Sequence, residues 1–155
     1  MGIEIERKFL VLSDGWRPAV GKSSKMRQGY LTESGRASVR VRSDSTRGWL
    51  NIKSATLGVQ REEFEYEIPL ADAERILDTL ARPPLIEKTR HYAEISPHIW
   101  EIDEFEGENA GLIVAEIELK DPDERFERPA WLGTEVTDDP RYYNNNLAQK
   151  PFATW

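Results

Sequence analysis

Residues 4–9 read Glu-Ile-Glu-Arg-Lys-Phe. Charged and apolar side chains alternate there, so in an extended chain Glu4, Glu6 and Lys8 share one face and apolar residues occupy the other. The same period-two alternation recurs in later segments. It predicts eight β-strands at about residues 2–11, 26–32, 37–43, 48–54, 60–69, 86–94, 99–106 and 112–120.

Three segments depart from this alternation. Apolar residues at helical spacing over residues 70–80 predict an amphipathic helix of about ten residues. At residues 121–124 a capping aspartate, a proline and a glutamate predict a short helix after Asp121. A third helix is predicted over residues 141–149, with Asp139 or Pro140 at its start. The predicted fold is therefore α+β and mainly β, a barrel or sandwich with a few short helices.

The polar faces of the predicted strands are sorted by the sign of their charge. The acidic sets are Glu4 and Glu6; Glu63, Glu65 and Glu67; Glu101 and Asp103; Glu116 and Glu118. The basic sets are Arg40 and Arg42; Lys53; Lys88 and Arg90. For any one strand a solvated face is the simpler interpretation, but like charges on one face repel, and so many one-sign sets exceed what a solvated surface needs. They favour a closed antiparallel barrel in which acidic and basic strands face each other across a charged lumen.

The two signs suit two different ligands. Carboxylates suit a hard cation, since Mg²⁺ and Mn²⁺ prefer carboxylate and water oxygens. Arginine and lysine suit phosphate, because a planar guanidinium engages two oxygens and an ammonium supplies a compact charge. Both sets in one lumen predict a chelate of divalent metal and polyphosphate.

Composition excludes several other classes of protein. The length of 155 residues predicts one domain over residues 1–155. A net charge of −7 argues against an electrostatic nucleic-acid binder. The sequence has no cysteine, no long apolar run and no apolar leader, so a cytoplasmic protein without a membrane partner is expected.

Histidine and serine chemistry also finds little support in the sequence. His91 is expected to point outward from its strand and His98 to lie in a turn, which argues against a zinc site. The serines show no recognisable arrangement with a histidine and an acid, which argues against a serine hydrolase.

The opening Glu4-Ile5-Glu6-Arg7-Lys8-Phe9 resembles the Glu-x-Glu-x-Lys signature of the CYTH domain, or triphosphate tunnel metalloenzyme, family. Later motifs follow in the family's order: Arg27-Gln28-Gly29-Tyr30-Leu31, Val39-Arg40-Val41-Arg42, Ile52-Lys53-Ser54, Arg61-Glu62-Glu63-Phe64-Glu65, Glu87-Lys88-Thr89-Arg90, Glu101-Ile102-Asp103, Glu116-Ile117-Glu118, Glu135-Val136-Thr137-Asp138 and Arg141-Tyr142. The resemblance covers nearly the whole chain and is to the compact bacterial branch. It implies an eight-stranded antiparallel triphosphate tunnel that hydrolyses triphosphates with Mg²⁺ or Mn²⁺.

Carried over by position, the resemblance implies a role for each charged group. Glu4, Glu6 and Glu118 would hold the first metal. The candidates for a second metal or for aligning water are Glu63, Glu65, Asp103 and Glu116. The predicted phosphate-binding residues are Lys8, Arg40, Arg42, Lys53, Arg90 and Arg27.

Two further assignments concern catalysis and the tunnel end. Lys88 is predicted as a catalytic lysine with Tyr30 as a partner that shares its proton, the alternative being that Lys88 is one more phosphate clamp. Residues 141–149 would form a plug helix that closes one mouth of the tunnel. Relatives often carry a basic residue near the position of Tyr143, which this sequence lacks.

Three functions stay open on the sequence. Inorganic triphosphatase is favoured, because the inferred lumen is charged and no aromatic pair is committed to a base or thiazole ring. The alternatives are a nucleoside or thiamine triphosphatase or an adenylyl cyclase, and a non-catalytic module that binds polyphosphate or nucleotide. The apolar exterior exceeds what three short helices cover, which favours a homodimer.

Overall fold

In the computed structural model, residues 2–33, 35–56 and 58–155 are described. These residues form nine β-strands: β1 (Gly2–Val11), β2 (Val20–Glu33), β3 (Ala37–Ser43), β4 (Gly48–Ser54), β5 (Gln60–Ile68), β6 (Arg82–Ile95), β7 (His98–Phe105), β8 (Ile113–Glu118) and β9 (Leu132–Glu135). All nine belong to one sheet. The helices among them are α1 (Leu70–Thr79) and α2 (Asn144–Gln149), with short 3₁₀ turns at Arg17–Ala19, Gly107–Asn109, Pro140–Tyr142 and Phe152–Thr154.

The sheet closes on itself. Its strand order is β5-β4-β3-β2-β6-β7-β8-β1, and β1 pairs back onto β5 from Gly2 opposite Glu63 to Ile5 opposite Gln60. The pairs are antiparallel, so the predicted eight-stranded antiparallel barrel is confirmed. β9 is an additional strand that pairs with the end of β1, where Phe9 lies opposite Glu135.

Two strands begin earlier than the alternation predicted. β2 begins at Val20 rather than at residue 26, because residues 20–25 lack the apolar alternation that the prediction relied on. β6 begins at Arg82 rather than at residue 86 and includes Pro83 and Pro84. Proline donates no ladder hydrogen bond and usually argues against a strand, so the alternation was not extended through Pro83 and Pro84.

Helix α1 confirms the first predicted helix. Its buried Ala73 and Leu77 pack with Val41 of β3 on the outside of the barrel. Gly48 of β4 allows the close approach, since a Cβ atom there would lie 2.4 Å from the Cβ of Ala73.

The helix predicted after Asp121 is wrong. The capping hydrogen bonds do form, because the Asp123 N–H donates to the Asp121 carboxylate and the Glu124 carboxylate accepts from the Lys120 N–H. The chain then continues without regular structure and places Phe126 against Phe9 of the barrel. Packing of one aromatic ring has overridden a local helix signal.

The third predicted helix is divided in two. The Asp139 side chain accepts from the N–H of Arg141 and begins the 3₁₀ turn Pro140–Tyr142. Tyr143 is then extended, with φ −79° and ψ 138°, and α2 follows it. The start at Asp139 is therefore confirmed, whereas the regular helix is shorter than predicted.

The barrel is apolar on much of its outside. An outer cluster covers β1, β7 and β8 and is made of Phe9, Trp16, Trp100, Ile102, Ala115, Ile117, Leu119, Trp131 and their neighbours. Helix α1 covers β3 and β4. Ile3 of β1 and Phe64 and Tyr66 of β5 stay exposed, at 55%, 44% and 56%. Within the described ranges, none of the helices has the length and hydropathy of a membrane-spanning segment.

Candidate active site

The barrel encloses a cavity of about 670 Å³. Its acidic lining residues are Glu4, Glu6, Glu63, Glu65, Glu101, Glu116 and Glu118. Its basic lining residues are Lys8, Arg40, Arg42, Lys53, Arg61, Lys88 and Arg90. Alternate residues of each strand point inward, which is why charges that are sorted along the sequence meet in the lumen.

Two glutamates on neighbouring strands, Glu6 and Glu116, are hydrogen-bonded and have opposite pKa shifts. Burial raises the pKa of Glu6 well above the ordinary 4.5, and the carboxylates of Glu116 and Glu4 raise it further. Burial also raises the pKa of Glu116, but Lys8, the hydrogen bond with Glu6 and Arg90 outweigh it and hold that pKa well below 4.5. These opposite shifts favour the form in which Glu6 carries the proton of this hydrogen bond and Glu116 is ionised.

Other carboxylates add to this negative field. Glu118 lies opposite Glu6 in the β1–β8 ladder. Burial raises the pKa of Glu118, and Glu101 and Glu4 raise it further. Raised pKa values at Glu6 and Glu118 indicate an excess of negative charge that a divalent cation would neutralise.

Glu4 is paired with two cations. The Lys53 Nζ atom lies 3.1 and 3.0 Å from its two carboxylate oxygens, and Arg61 Nη2 lies 3.2 Å from one of them. Burial raises the pKa of Glu4, but Lys53 and Arg61 outweigh it and lower that pKa. Among the described residues no three His, Cys, Asp or Glu side chains are gathered as a metal site. A metal at Glu4 would therefore require Lys53 and Arg61 to release it.

Arg61 was missed in the sequence analysis. It precedes Glu63 by two residues on β5, so the same alternation could have placed it in the lumen. Its guanidinium carbon lies 4.9 Å from the ring centroid of Tyr143, and Lys8 Nζ lies at the same distance from that centroid. Two cations, one from β5 and one from β1, therefore flank Tyr143.

Lys88, Arg90 and Asp103 form a buried network. Lys88 Nζ lies 2.8 Å from Asp103 Oδ2, and Arg90 Nε lies 2.8 Å from Asp103 Oδ1. Burial raises the pKa of Asp103, but Arg90 and Lys88 outweigh it and lower that pKa. Burial, together with Arg90, lowers the pKa of Lys88 to about 7 although Asp103 opposes this. Lys88 can therefore gain or lose a proton near neutral pH.

Arg40 and Arg42 carry free donors. Their Nε atoms are buried and find no hydrogen-bond partner within the described ranges. Burial lowers the pKa of Arg42 to about 10, and the charges of Arg40 and Arg90 act in the same direction. Crowded cations with unpaired N–H groups form a site for an anion.

Asn51 is a second lumen residue that the sequence analysis missed. Its Nδ2 atom donates to Glu63 and Glu65, each at 3.0 Å. Its position could have placed it in the lumen, because it precedes Lys53 by two residues on the same face of β4. The amide fixes two carboxylates that the sequence predicted as candidates for a second metal.

Two of the predicted site residues do not line the cavity. Arg27 lies on the outer face of β2, where it binds Glu74 at 2.5 Å and Asp78 at 3.0 Å in α1. It alternates with Gln28, so it cannot face the lumen with the other cations, and the expected phosphate contact is wrong. Asp103 is fully buried behind Lys88 and Arg90 and is committed to both.

Tyr30, the predicted partner of Lys88, is buried and lines the cavity. The ammonium of Lys88 donates to Asp103 and Asn144. Proton sharing with Tyr30 stays a prediction.

The outer face holds a serine, a histidine and an acid in hydrogen-bond contact, contrary to the sequence-based expectation. Ser23 Oγ lies 2.7 Å from His91 Nδ1, and His91 Nε2 lies 3.1 Å from Glu104 Oε1. His91 points outward as predicted and lies against Trp16. Glu104 is also held by Arg17, so the group ties the Arg17–Ala19 turn to the barrel.

The lumen changes from charged to apolar along its length. Leu10, Ile86, Phe105 and Val114 continue the inward faces of β1, β6, β7 and β8 and pack with Leu147 of α2. Leu147 is fully buried, so α2 closes this end of the barrel. The predicted plug is thus present in the structure, and Asn144 at its first position lines the cavity.

The model of the CYTH domain family matches residues 2–149. The chain belongs to the CYTH domain family. An inorganic triphosphatase of Acetivibrio thermocellus is 46% identical over 152 residues, covering 98% of this chain and 97% of that protein. An inorganic triphosphatase of Nitrosomonas europaea is 36% identical over 151 residues, covering 94% of this chain and 96% of that protein. A crystal structure of an inorganic triphosphatase superposes with a TM-score of 0.65 at 32% identity, covering 94% of this CYTH chain and 93% of that one.

Proposed function

We propose that this chain is an inorganic triphosphatase that hydrolyses tripolyphosphate to diphosphate and phosphate. The observation that carries the proposal is the meeting, in one cavity, of unpaired Arg40 and Arg42 donors with the carboxylates of β1, β5, β7 and β8. A linear triphosphate needs cations along its oxygens, and a divalent metal needs carboxylates beside them. The two relatives named inorganic triphosphatase support the same activity.

The carboxylates of β1 and β8 fit Mg²⁺ or Mn²⁺. Glu4, Glu6 and Glu118 are the proposed ligands of a first metal, with Glu116 beside them. Glu63 and Glu65 stay proposed for a second metal or for aligning water. A bound divalent ion would neutralise phosphate charge and polarise water for attack. The raised pKa of Glu6 and the oxygen-only donor set support this choice.

The protein side chains position the substrate. Lys8, Arg40, Arg42, Lys53 and Arg90 are the proposed phosphate clamps, and Arg61 joins them. Several of these cations pair with carboxylates across the lumen, as Lys53 does with Glu4. Substrate and metal would exchange these partners, the phosphates taking the cations and the metal the carboxylates. Lys88, with Tyr30 beside the same cavity, is proposed to act on the reacting phosphoryl group or the attacking water.

The test compares substrates directly. Phosphate release is measured from tripolyphosphate, ATP and thiamine triphosphate, each without metal and with Mg²⁺ or Mn²⁺. We expect tripolyphosphate to be turned over fastest, and only with metal. Preference for ATP or thiamine triphosphate would favour the organic substrates, and binding without release from any of the three would favour a non-catalytic module.

Three expectations from the sequence stay predictions. They are one domain over residues 1–155, a cytoplasmic location and a homodimer. The exposed Ile3, Phe64 and Tyr66 are the outer-face residues that a second copy would cover. Light scattering on the purified chain should give the mass of a dimer, and a monomer mass at high concentration would contradict the homodimer.

A further inference from the structure

Asn144, the first residue of α2, accepts two hydrogen bonds with one oxygen. Its Oδ1 atom lies 3.0 Å from Lys88 Nζ and 2.7 Å from Gln28 Nε2. Gln28 is fully buried on β2, and Lys88 is 1% exposed on β6. The plug helix is therefore bonded through one amide to two strands of the barrel wall.

The residues on either side of Asn144 fix its position. Leu147 lies one helical turn further along α2 and is buried among Ile86, Phe105 and Val114. Residue Tyr143 precedes Asn144, and its hydroxyl donates to the Thr137 carbonyl oxygen at 2.7 Å. An amide held by packing on one side and by a tyrosine hydrogen bond on the other loses little further freedom when it binds Lys88.

Two acceptors decide the orientation of the Lys88 nitrogen. An ammonium has three N–H groups, and Asp103 and Asn144 take two of them. Tetrahedral geometry then sets the direction of the third N–H group. Lys88 lines the cavity. In the neutral amine the same two contacts leave the lone pair in that direction.

We propose that Asn144 is a positioning residue, which orients Lys88 toward the reacting phosphate and thereby couples closure of the tunnel end to catalysis. Asp103 alone would fix the torsion about the Cε–Nζ bond but would leave the neutral amine two positions for its lone pair, and Asn144 selects one of them. The inference rests on the proposed role of Lys88 in triphosphate hydrolysis. It assigns to α2 a function beyond closing the barrel.

The experiment is a double-mutant cycle on tripolyphosphate hydrolysis with metal. Asn144→Ala and Lys88→Ala are made singly and together, and single-turnover rates are measured with enzyme in excess so that slow variants are quantified. We expect Asn144→Ala to lower the rate about 10- to 100-fold, the usual result of a misplaced catalytic group. In the Lys88→Ala background we expect the same change to cost less than about twofold, because its target is gone.

Matched variants separate positioning from loosening of the plug. Leu147→Ala removes packing under α2 without touching Lys88, so its effect should multiply with that of Lys88→Ala. Gln28→Leu removes the second donor to Asn144 and should give a smaller loss that also vanishes in the Lys88→Ala background. If thermal unfolding shows that Asn144→Ala does not fold, Gln28→Leu still tests the positioning role of Asn144.

The outcomes distinguish the two proposals. Full activity of Lys88→Ala would remove Lys88 from the mechanism and the positioning role with it. An impaired Lys88→Ala in which Asn144→Ala still costs its full factor would overturn the role of Asn144 alone. Wild-type turnover in the same assay is the reference for the proposed triphosphatase activity.

Discussion

The raised pKa of Glu6 links metal binding to pH. The folded pKa of Glu6 is well above 4.5. A metal that binds Glu6 must displace the proton, so affinity for Mn²⁺ should rise with pH up to that pKa. Calorimetry in two buffers of different ionisation enthalpy should show proton release on metal binding below the folded pKa of Glu6, and the release should fall as pH rises through that pKa.

The same proton has a consequence for stability. Above pH 4.5 the unfolded chain has lost it while the folded metal-free protein keeps it, so the free energy of unfolding should fall as pH rises through the folded pKa. Glu6→Gln cannot titrate and is the matched control. A wild type whose pH dependence equals that of Glu6→Gln would contradict the raised pKa of Glu6.

Asp103 offers a second prediction about a single side chain. Asp103→Asn leaves Lys88 and Arg90 buried without their common anion. We expect the free energy of unfolding to fall by about 3–5 kcal/mol, the usual cost of breaking a buried ion pair. Urea unfolding measures this. Glu67→Gln, which breaks the exposed pair of Glu67 with Arg47, is the control and should change the midpoint little.

Side-chain alternation identified most lumen charges because a strand has a period of two. The prediction failed at Arg27, because alternation along β2 places this residue on the outer face, where it contacts α1. Asn51 and Asn144 were not predicted as site residues, because a neutral amide has no charge and the prediction relied on the sign of the charge. The pairing of Asn144 with Lys88 depends on the path of the chain after Asp139, which no local pattern specifies.

Gly48 carries a prediction about the packing of α1 on the sheet. Gly48→Ala would place a Cβ atom 2.4 Å from that of Ala73 and push α1 away from β4. We expect a loss of about 1–3 kcal/mol of stability, typical of overpacking. Gly21→Ala in β2 meets no atom within 4 Å and is the matched control for the urea midpoint. Equal midpoints for the two variants would show that α1 does not depend on this contact.

Strand and helix boundaries were less accessible from the sequence than the existence of the elements. β9 comprises only Leu132–Glu135, too short for a period to appear. The helix expected after Asp121 had the right capping residues, but Phe126 gains more from the outer cluster than a short helix gains from its caps. Long alternating strands such as β1 were predicted to the residue because every position repeats the same signal.

Barrel closure yields a prediction about the dynamics of the fold. Among the described residues, the β1–β5 ladder runs from Gly2–Glu63 to Ile5–Gln60, whereas β2 and β6 pair over the longer stretch from Val20–Ala93 to Tyr30–Arg82. We expect amide hydrogens at the β1–β5 seam to exchange faster than those of the β2–β6 ladder. Because Glu4 lies in the seam, Mg²⁺ with diphosphate should slow its exchange. Uniform protection around the barrel would contradict a weak seam.

Sorting of charge by sign predicted that the barrel would be closed, since only a lumen brings the acidic and basic strands together. The sequence could not tell which parts of the apolar exterior would be covered. Residues 119–132 and the loop at Trp16 cover one side, and neither segment has a regular pattern. Their packing depends on aromatic rings that come from distant parts of the sequence.

The apolar packing under α2 means that the cavity has a blind end. Among the described residues, Leu147 and its apolar neighbours fill that end of the barrel, so substrate and product would pass through the charged end. In the proposed reaction, diphosphate would then stand between the active groups and the next tripolyphosphate. Diphosphate would have to leave before the next tripolyphosphate could bind, so the rate of product release would limit turnover.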